Sequence, residues 1–500
     1  MHGGTMNDAQ SPQQSIAADL SALSEAQATQ IVDVDNGATI DLNPQIVKKS
    51  LDGKPFALYA YNGQFPGPLL KVKQGSTFTV RVRNDIDQPT TVHWHGVRLQ
   101  NKFDGAAGIT QKPIEPGGSF TYTVTVPDSG MFWYHPHVRE DMQQDMGLYG
   151  NLWVTPRDAA PTPVNREEAL MLDDLLMRRG LPVPYGETEA DFALMGRFGN
   201  TMLVNGSAAY ALNVRRGDVV RFSLTNAANT RTFNIHFGGA RMKLIGSDAG
   251  RSEREEFVDA VRLSPSERAT VDVLFDKSGT YKFVHESPET RITLGSVTVS
   301  DEAASPSYAS AFDEESRNTD VVADIDAYRA FFDAPVDEMI HLTVKQDMMG
   351  GMGHGGMAMD HGVGEDGIEW EDSMPMMNAM ATKANTQWKL VDERSGKENM
   401  DIRYAFTRGD KVKIRLVNDR AEDGSDHPMQ HPIHFHGQRF LVLAFNGKRN
   451  ENLVWKDTVL VPKDATVDIL LDVTNPGDWM IHCHIAEHLS NGMMGSMRVK

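Results

Sequence analysis

"PGDWMIHCHIAEHLSNGMM", residues 476–494, sets an aromatic, largely apolar run behind a Pro-Gly turn and ends it on His-Cys-His. A short apolar run bounded by turn residues reads as a strand. The plan recurs twice upstream, as "SGMFWYHPH" (129–137) and "SGTYKFVHES" (278–287), each a glycine turn feeding an aromatic strand that reaches histidine. Farther upstream stand "KQGSTFTVRVRND" (73–85), "RRGDVVRFSLTNA" (215–227) and "TRGDKVKIRLVND" (407–419), which share a basic residue, a glycine, an alternating strand and a closing Asn. Between these landmarks lie "VHWHG" (92–96), "NIHFGG" (234–239) and "IHFHG" (433–437).

Landmarks repeated in one order at this separation mark whole domains, not stacked solenoid units. The sequence predicts an all-β chain of three consecutive Greek-key sandwiches or barrels, over residues 28–157, 163–300 and 336–500. The middle copy keeps the strands with only His236 and His285 and reads as a spacer; these two and His341 read as structural histidines. The acidic stretch 301–335 links copies two and three and carries a short helix near "IDAYRAFF". Inside the third copy, 347–380 is methionine-rich, has no strand period and reads as a flexible loop.

The bulk numbers exclude more than they assign. An apolar fraction of 40% with 23% charged residues is that of a globular chain. The formal net charge of -19 disfavours nucleic acid and anionic membranes as partners. No apolar run approaches the roughly 20 residues that span a bilayer. The start, "MHGGTMNDAQSPQQSIAADL", lacks a basic segment followed by an apolar core, so a secretion signal was either removed or never there. One cysteine in 500 residues forms no internal disulfide and says nothing about compartment.

Strand parity then sorts the histidines. Alternate side chains on a strand face opposite ways, so Cys483 faces away from His482 and His484. His434 and His436 share a face while His431 can point away, and His93/His95 and His135/His137 are same-face pairs. One side thus collects Cys483, His431, His488 and, ten residues past the cysteine, Met493; chemistry alone does not separate Met493 from Met494. Two imidazoles, a thiolate and a weak thioether match a blue-copper electron-transfer site. The other side collects His93, His95, His135, His137, His434, His436, His482 and His484. Eight imidazoles without a carboxylate suit copper, and they are too many for one ion but right for a cluster of three. A zinc site needs only four ligands.

At these clusters the sequence resembles the multicopper oxidases, three-domain cupredoxin proteins that include laccases and bacterial copper-efflux oxidases; the resemblance spans about residues 40–500. It implies four copper ions: type 1 on His431, Cys483, His488 and Met493, type 2 on His93 and His434, and a type 3 pair on His95, His135, His137, His436, His482 and His484. It also implies proton delivery by Glu487 and Asp104. Electrons would enter at His488, whose loop can reach the surface, and pass from Cys483 to its two neighbours over a path on the order of ten ångströms.

The partners implied are dioxygen and a small reductant, either a phenolic or aromatic molecule or a metal ion such as Cu(I) or Fe(II). An axial Met suggests a moderate potential and easily oxidised donors. Nine of the 26 methionines fall within 348–380. Met348, Met349, Met352, Met357 and Met359, with Met429, would either bind substrate copper as soft thioethers or belong to a cover over the cleft. A copper nitrite reductase and a non-catalytic electron carrier are the alternatives. Copper handling points to a periplasmic or secreted protein, and the chain is expected to be a monomer.

Overall fold

The computed structural model describes residues 19–158, 162–346, 366–418 and 429–500. The alternating landmark strands are Thr77–Arg83, Asp218–Asn226 and Lys411–Asn418. The histidine strands are His93–His95, Phe233–Phe237 and His431–Phe435. The aromatic strands are Gly130–His135, Gly279–Glu286 and Gly477–Cys483. Each aromatic strand starts on a glycine of positive φ (150°, 132° and 143°), a setting side chains oppose, which is why all three copies keep glycine there.

Two sheets face each other in each copy. In the first, a five-stranded sheet holds the histidine and aromatic strands side by side at its edge, against a three-stranded sheet containing Thr77–Arg83. Six- and five-stranded sheets form the second copy; seven- and five-stranded sheets form the third. Each has its own buried core, with Phe78, Trp94 and Phe132 in the first, Phe222, Phe237 and Phe283 in the second, and Ile414, Phe435 and Trp479 in the third. Register repeats as well: His93 pairs with His135 and His434 with His482, but the middle copy pairs Ile235 with His285. An isoleucine therefore stands where the other copies carry an inward imidazole.

Stretch 301–335 forms two short helices, Ala309–Asp313 and Thr319–Ile325, and the 3-10 turn Asp326–Phe331. Ile325 is buried with Leu441, Leu443 and Trp455, tying the linker to the third domain. Of the methionine-rich insertion, 347–365, with Met348, Met349, Met352, Met357 and Met359, lie outside the described residues. The remainder departs from the expected loop. Residues 366–374 run as a strap into the helix Pro375–Met380, which Pro375 opens. Arg231 holds the strap through the Trp370 carbonyl at 3.0 Å and the Glu371 carboxylate at 2.8 Å. Asn378 pins the helix by donating to Gly196 O at 2.8 Å and accepting from Met195 N at 2.9 Å. These partners lie some 140–180 residues away, beyond the reach of a local pattern.

The three domains meet at Gly96 (φ 79°), where a Cβ would lie 2.2 Å from Asp457 Oδ2 of the third domain and 3.0 Å from Arg268 Nη2 of the second. Gly108 has a similar φ of 76° with nothing within 4 Å. Gly96→Ala is expected to cost about 1–3 kcal/mol more than Gly108→Ala, because the first adds overpacking to the same backbone strain. Calorimetry of the two variants measures the difference.

Candidate metal centre

On strand Gly477–Cys483 the side chains alternate as the spacing requires. Cys483 lies in the core of the third domain, its Sγ 3.6 Å from His431 Nδ1 and 3.8 Å from His488 Nδ1. Burial pushes the thiol well above its ordinary range, so the sulfur becomes a thiolate only against a bound metal's charge. Met493 is fully buried in this same core, whereas Met494 packs with Ala106, Met480 and Leu489. Met493, and not Met494, thus shares a core with Cys483.

Across the strand the eight imidazoles crowd together, His93 stacked on His436 at 4.0 Å and His95 on His434 at 3.7 Å. The two trios and the pair implied by the resemblance lie side by side within the crowd. His137, His436 and His482 have mutual centroid distances of 5.1, 5.2 and 5.0 Å. His95, His135 and His484 are separated by 5.6, 5.0 and 5.1 Å. His93 and His434, 5.8 Å apart, remain. Each group draws on both the first and third domains, and all eight side chains are buried.

Protein oxygens fix the outer nitrogens. Nδ1 of His93 donates to Asp104 O (2.7 Å), that of His434 to Asp457 O (2.8 Å), that of His482 to Cys483 O (2.8 Å) and that of His135 to Pro136 O (2.8 Å). His436 Nδ1 meets Asp104 Oδ2 at 2.9 Å, and His137 Nδ1 meets Glu140 Oε1 at 2.6 Å. His95 is turned around: its Nε2 faces Asp457 Oδ1 at 3.0 Å. The inward nitrogens are left as lone pairs, and Nε2 of His93, His137, His434 and His484 has no hydrogen-bond partner. His436 and His482 bring two such Nε2 atoms within 2.9 Å of each other. Burial, and then neighbouring imidazoles, hold His95, His434 and His482 well below the ordinary histidine range, and His436 down to about 3. Neutral imidazole lone pairs converging in a buried pocket suit a soft cation that accepts nitrogen ligands.

Three multicopper oxidase family models match the chain, at residues 45–159, 176–303 and 370–500. The chain belongs to the multicopper oxidase family. It is similar to the multicopper oxidase MmcO of Mycobacterium tuberculosis, 27% identical over 485 residues that cover 91% of this chain and 86% of that protein. It also resembles laccase-1 of Fomitopsis schrenkii, at 26% identity over 91% of this chain and 85% of that one. A multicopper oxidase structure from Pseudomonas thermotolerans superposes with a TM-score of 0.69 at 25% identity, covering 94% of this chain and 100% of that chain. The protein is therefore a copper-dependent oxidoreductase of three cupredoxin-like domains with dioxygen as acceptor.

Two expectations for this oxidase need correction. His488 does not sit on a surface-reaching loop. It lies on the helix Ala486–Ser490, fully buried, stacked on the Trp388 ring at 4.1 Å, with Nε2 donating to Leu194 O at 3.3 Å. The second domain is also more than a spacer: besides Leu194 it supplies Asn229 and Thr230, which donate to the Glu487 carboxylate at 3.2 Å each. His285, by contrast, accepts from Asn234 N and His236 meets Glu286, as structural histidines do.

Glu487, next to His488 in the chain, is buried; burial, and then Asp141 and Asp145, push its carboxyl up to about 8. Burial alone would lift the fully buried Asp104, but His436 and His93 hold it below the usual carboxylate range. Trp388, Asp141 and Asp145 escaped the sequence reading because single residues far along the chain carry no periodic signal. Met429 is buried in the core that contains Cys483. A cavity of about 350 Å³, lined by Ala107, His137, Glu140, Ala190 and Leu489 among others, reaches a histidine of the cluster.

Cys483→Ser is expected to abolish the strong visible absorption and lower the copper content by about one ion per chain, leaving the histidine cluster loaded. Absorption spectra with metal analysis check it. Full chelation should lower the unfolding temperature of the parent protein, since every histidine group joins two domains.

Proposed function

We propose that the oxidase holds four coppers: type 1 on His431, Cys483, His488 and Met493, type 2 on His93 and His434, and a type 3 pair on the two trios. The observation that carries this reading is that Cys483 turns its sulfur to His431 and His488 while its neighbours turn the other way, His482 toward His137 and His484 toward His95 of the first domain. Copper bound there would take electrons singly at the thiolate site and pass four to dioxygen at the cluster, giving water.

The residues divide the remaining work. The backbone on either side of Cys483 links the sulfur to both trios. Trp388 and Leu194 orient His488 and shield it from water. Glu487, uncharged over part of the neutral range, carries protons inward, and Asp104 holds His436 and His93 in place while serving as the second proton group. The 350 Å³ cavity at His137 admits dioxygen and releases water. Neither a nitrite reductase nor a simple electron carrier accounts for eight converging imidazoles.

Easily oxidised phenols and aromatic amines, and metal ions such as Cu(I), are the proposed donors. Met429 and the exposed Met376 and Met380 support a cuprous route, as thioethers hold Cu(I) without losing a proton. Such chemistry belongs in the periplasm or outside the cell.

The copper-loaded protein should consume oxygen with both a phenol and Cu(I); a blue protein that consumes none overturns the enzyme reading. Glu487→Gln should cut turnover about 100-fold or more while keeping the visible band, the scale of a lost proton-transfer group. Deleting 348–364 spares the strap held by Arg231 and Asn378, and should remove Cu(I) oxidation while phenol oxidation persists. Equal, modest losses in both would instead mark that stretch as a cover.

A further inference from the structure

His95 is the exception in the cluster. His93, His135, His137, His434, His436 and His482 donate Nδ1–H outward and so point Nε2 to the centre. His95 instead donates Nε2–H to Asp457 Oδ1 at 3.0 Å, with Thr458 Oγ1 at 3.1 Å, and offers Nδ1, which lies 3.4 Å from His135 Nε2. A flipped imidazole needs a firm acceptor behind it, and Asp457 is almost fully buried. A carboxylate in such surroundings is best oriented by a paired cation.

That cation comes from the domain without ligands. Arg268, fully buried on strand Arg268–Phe275, forks onto Asp457 with Nη1 at 2.8 Å from Oδ1 and Nη2 at 2.5 Å from Oδ2. Its remaining donors are used on Met131 O (2.8 Å) and Ser266 O (3.0 Å), so the guanidinium cannot swing. Ser266, held at φ 69°, adds a hydroxyl contact to Thr458 Oγ1 at 3.3 Å. We propose that Arg268 is a positioning residue of the cluster, by which the second domain holds Asp457 and makes His95 offer Nδ1 where its neighbours offer Nε2. The inference rests on the reading that the eight histidines hold copper. It gives the middle domain a part in assembling a site it does not line.

Arg268→Lys keeps the charge but not the planar fork, and Arg268→Met with Asp457→Asn removes both charges together. Copper per chain, the visible band of the thiolate site and the near-ultraviolet absorption of the coupled pair are read on loaded protein. Both variants should keep the visible band, lose at least one copper per chain, and release cluster copper to a chelator about 10- to 100-fold more readily, the usual effect of losing a ligand's hydrogen-bond partner. Unchanged near-ultraviolet absorption and copper content in both variants would overturn the proposal. So would visible and near-ultraviolet bands that fall in proportion, the mark of general loosening. A parent protein that binds one copper and lacks the near-ultraviolet band would overturn the cluster reading itself, and the proposal with it.

Discussion

Neighbouring side chains on an extended strand point to opposite faces, and this constraint organises the whole molecule around residues 482–484. The sulfur faces into the core of the third domain, so its partners, His431 and His488, come from that domain. The flanking imidazoles face out of that core and need partners from elsewhere. The first domain supplies them from its own two strands, and each histidine group closes only when the domains dock. One local rule of backbone geometry thus sets both the division into two sites and the need for an interface between them.

That interface is built around lone pairs. Tying the outer nitrogen of an imidazole to a carbonyl or carboxylate fixes its ring and tautomer, and the fixed rings converge until Nε2 of His436 and Nε2 of His482 are 2.9 Å apart. Two lone pairs at that distance repel, and no water-sized gap separates them. A cation held by both nitrogens would relieve that repulsion, so metal binding and the docking of the domains would stabilise each other. Burial serves the same end, since it keeps the imidazoles neutral and available.

Much of this was legible in the sequence, for physical reasons that differ by feature. Strand parity needs no tertiary information, so the placing of His431 with Cys483, and of the paired histidines opposite, followed from spacing; His488 lies past the strand on a helix, where parity does not apply. The three copies of the glycine-led aromatic strand announced three domains because each turn demands the same positive φ. The surroundings of the metals were not legible. Trp388 over His488, Asn229 and Thr230 on Glu487, and Asp457 behind His95 are single contacts between distant segments, and nothing in their local sequence requires them. The helix Pro375–Met380 was hidden for a related reason: it is six residues long, its methionines obscure any apolar face, and Asn378 anchors it through contacts with another domain.

The middle domain sharpens the point. Its Ile235 stands in the register position of His93 and His434, and that exchange alone removes an inward ligand. By a count of ligands the domain contributes nothing. By its contacts it reaches every part of the machinery: Leu194 takes the outer nitrogen of His488, Asn229 and Thr230 hold Glu487, Arg231 grips the methionine strap, and Arg268 braces Asp457. Two docked domains could supply all the ligands, but their rings and carboxylates would face water along one side. A third fold of the same kind, its His236 and His285 serving only its own structure, packs over that side, excludes the water and replaces it with fixed donors and acceptors. Retaining the sandwich while losing its ligands is therefore what the chemistry of a dry, preorganised site calls for.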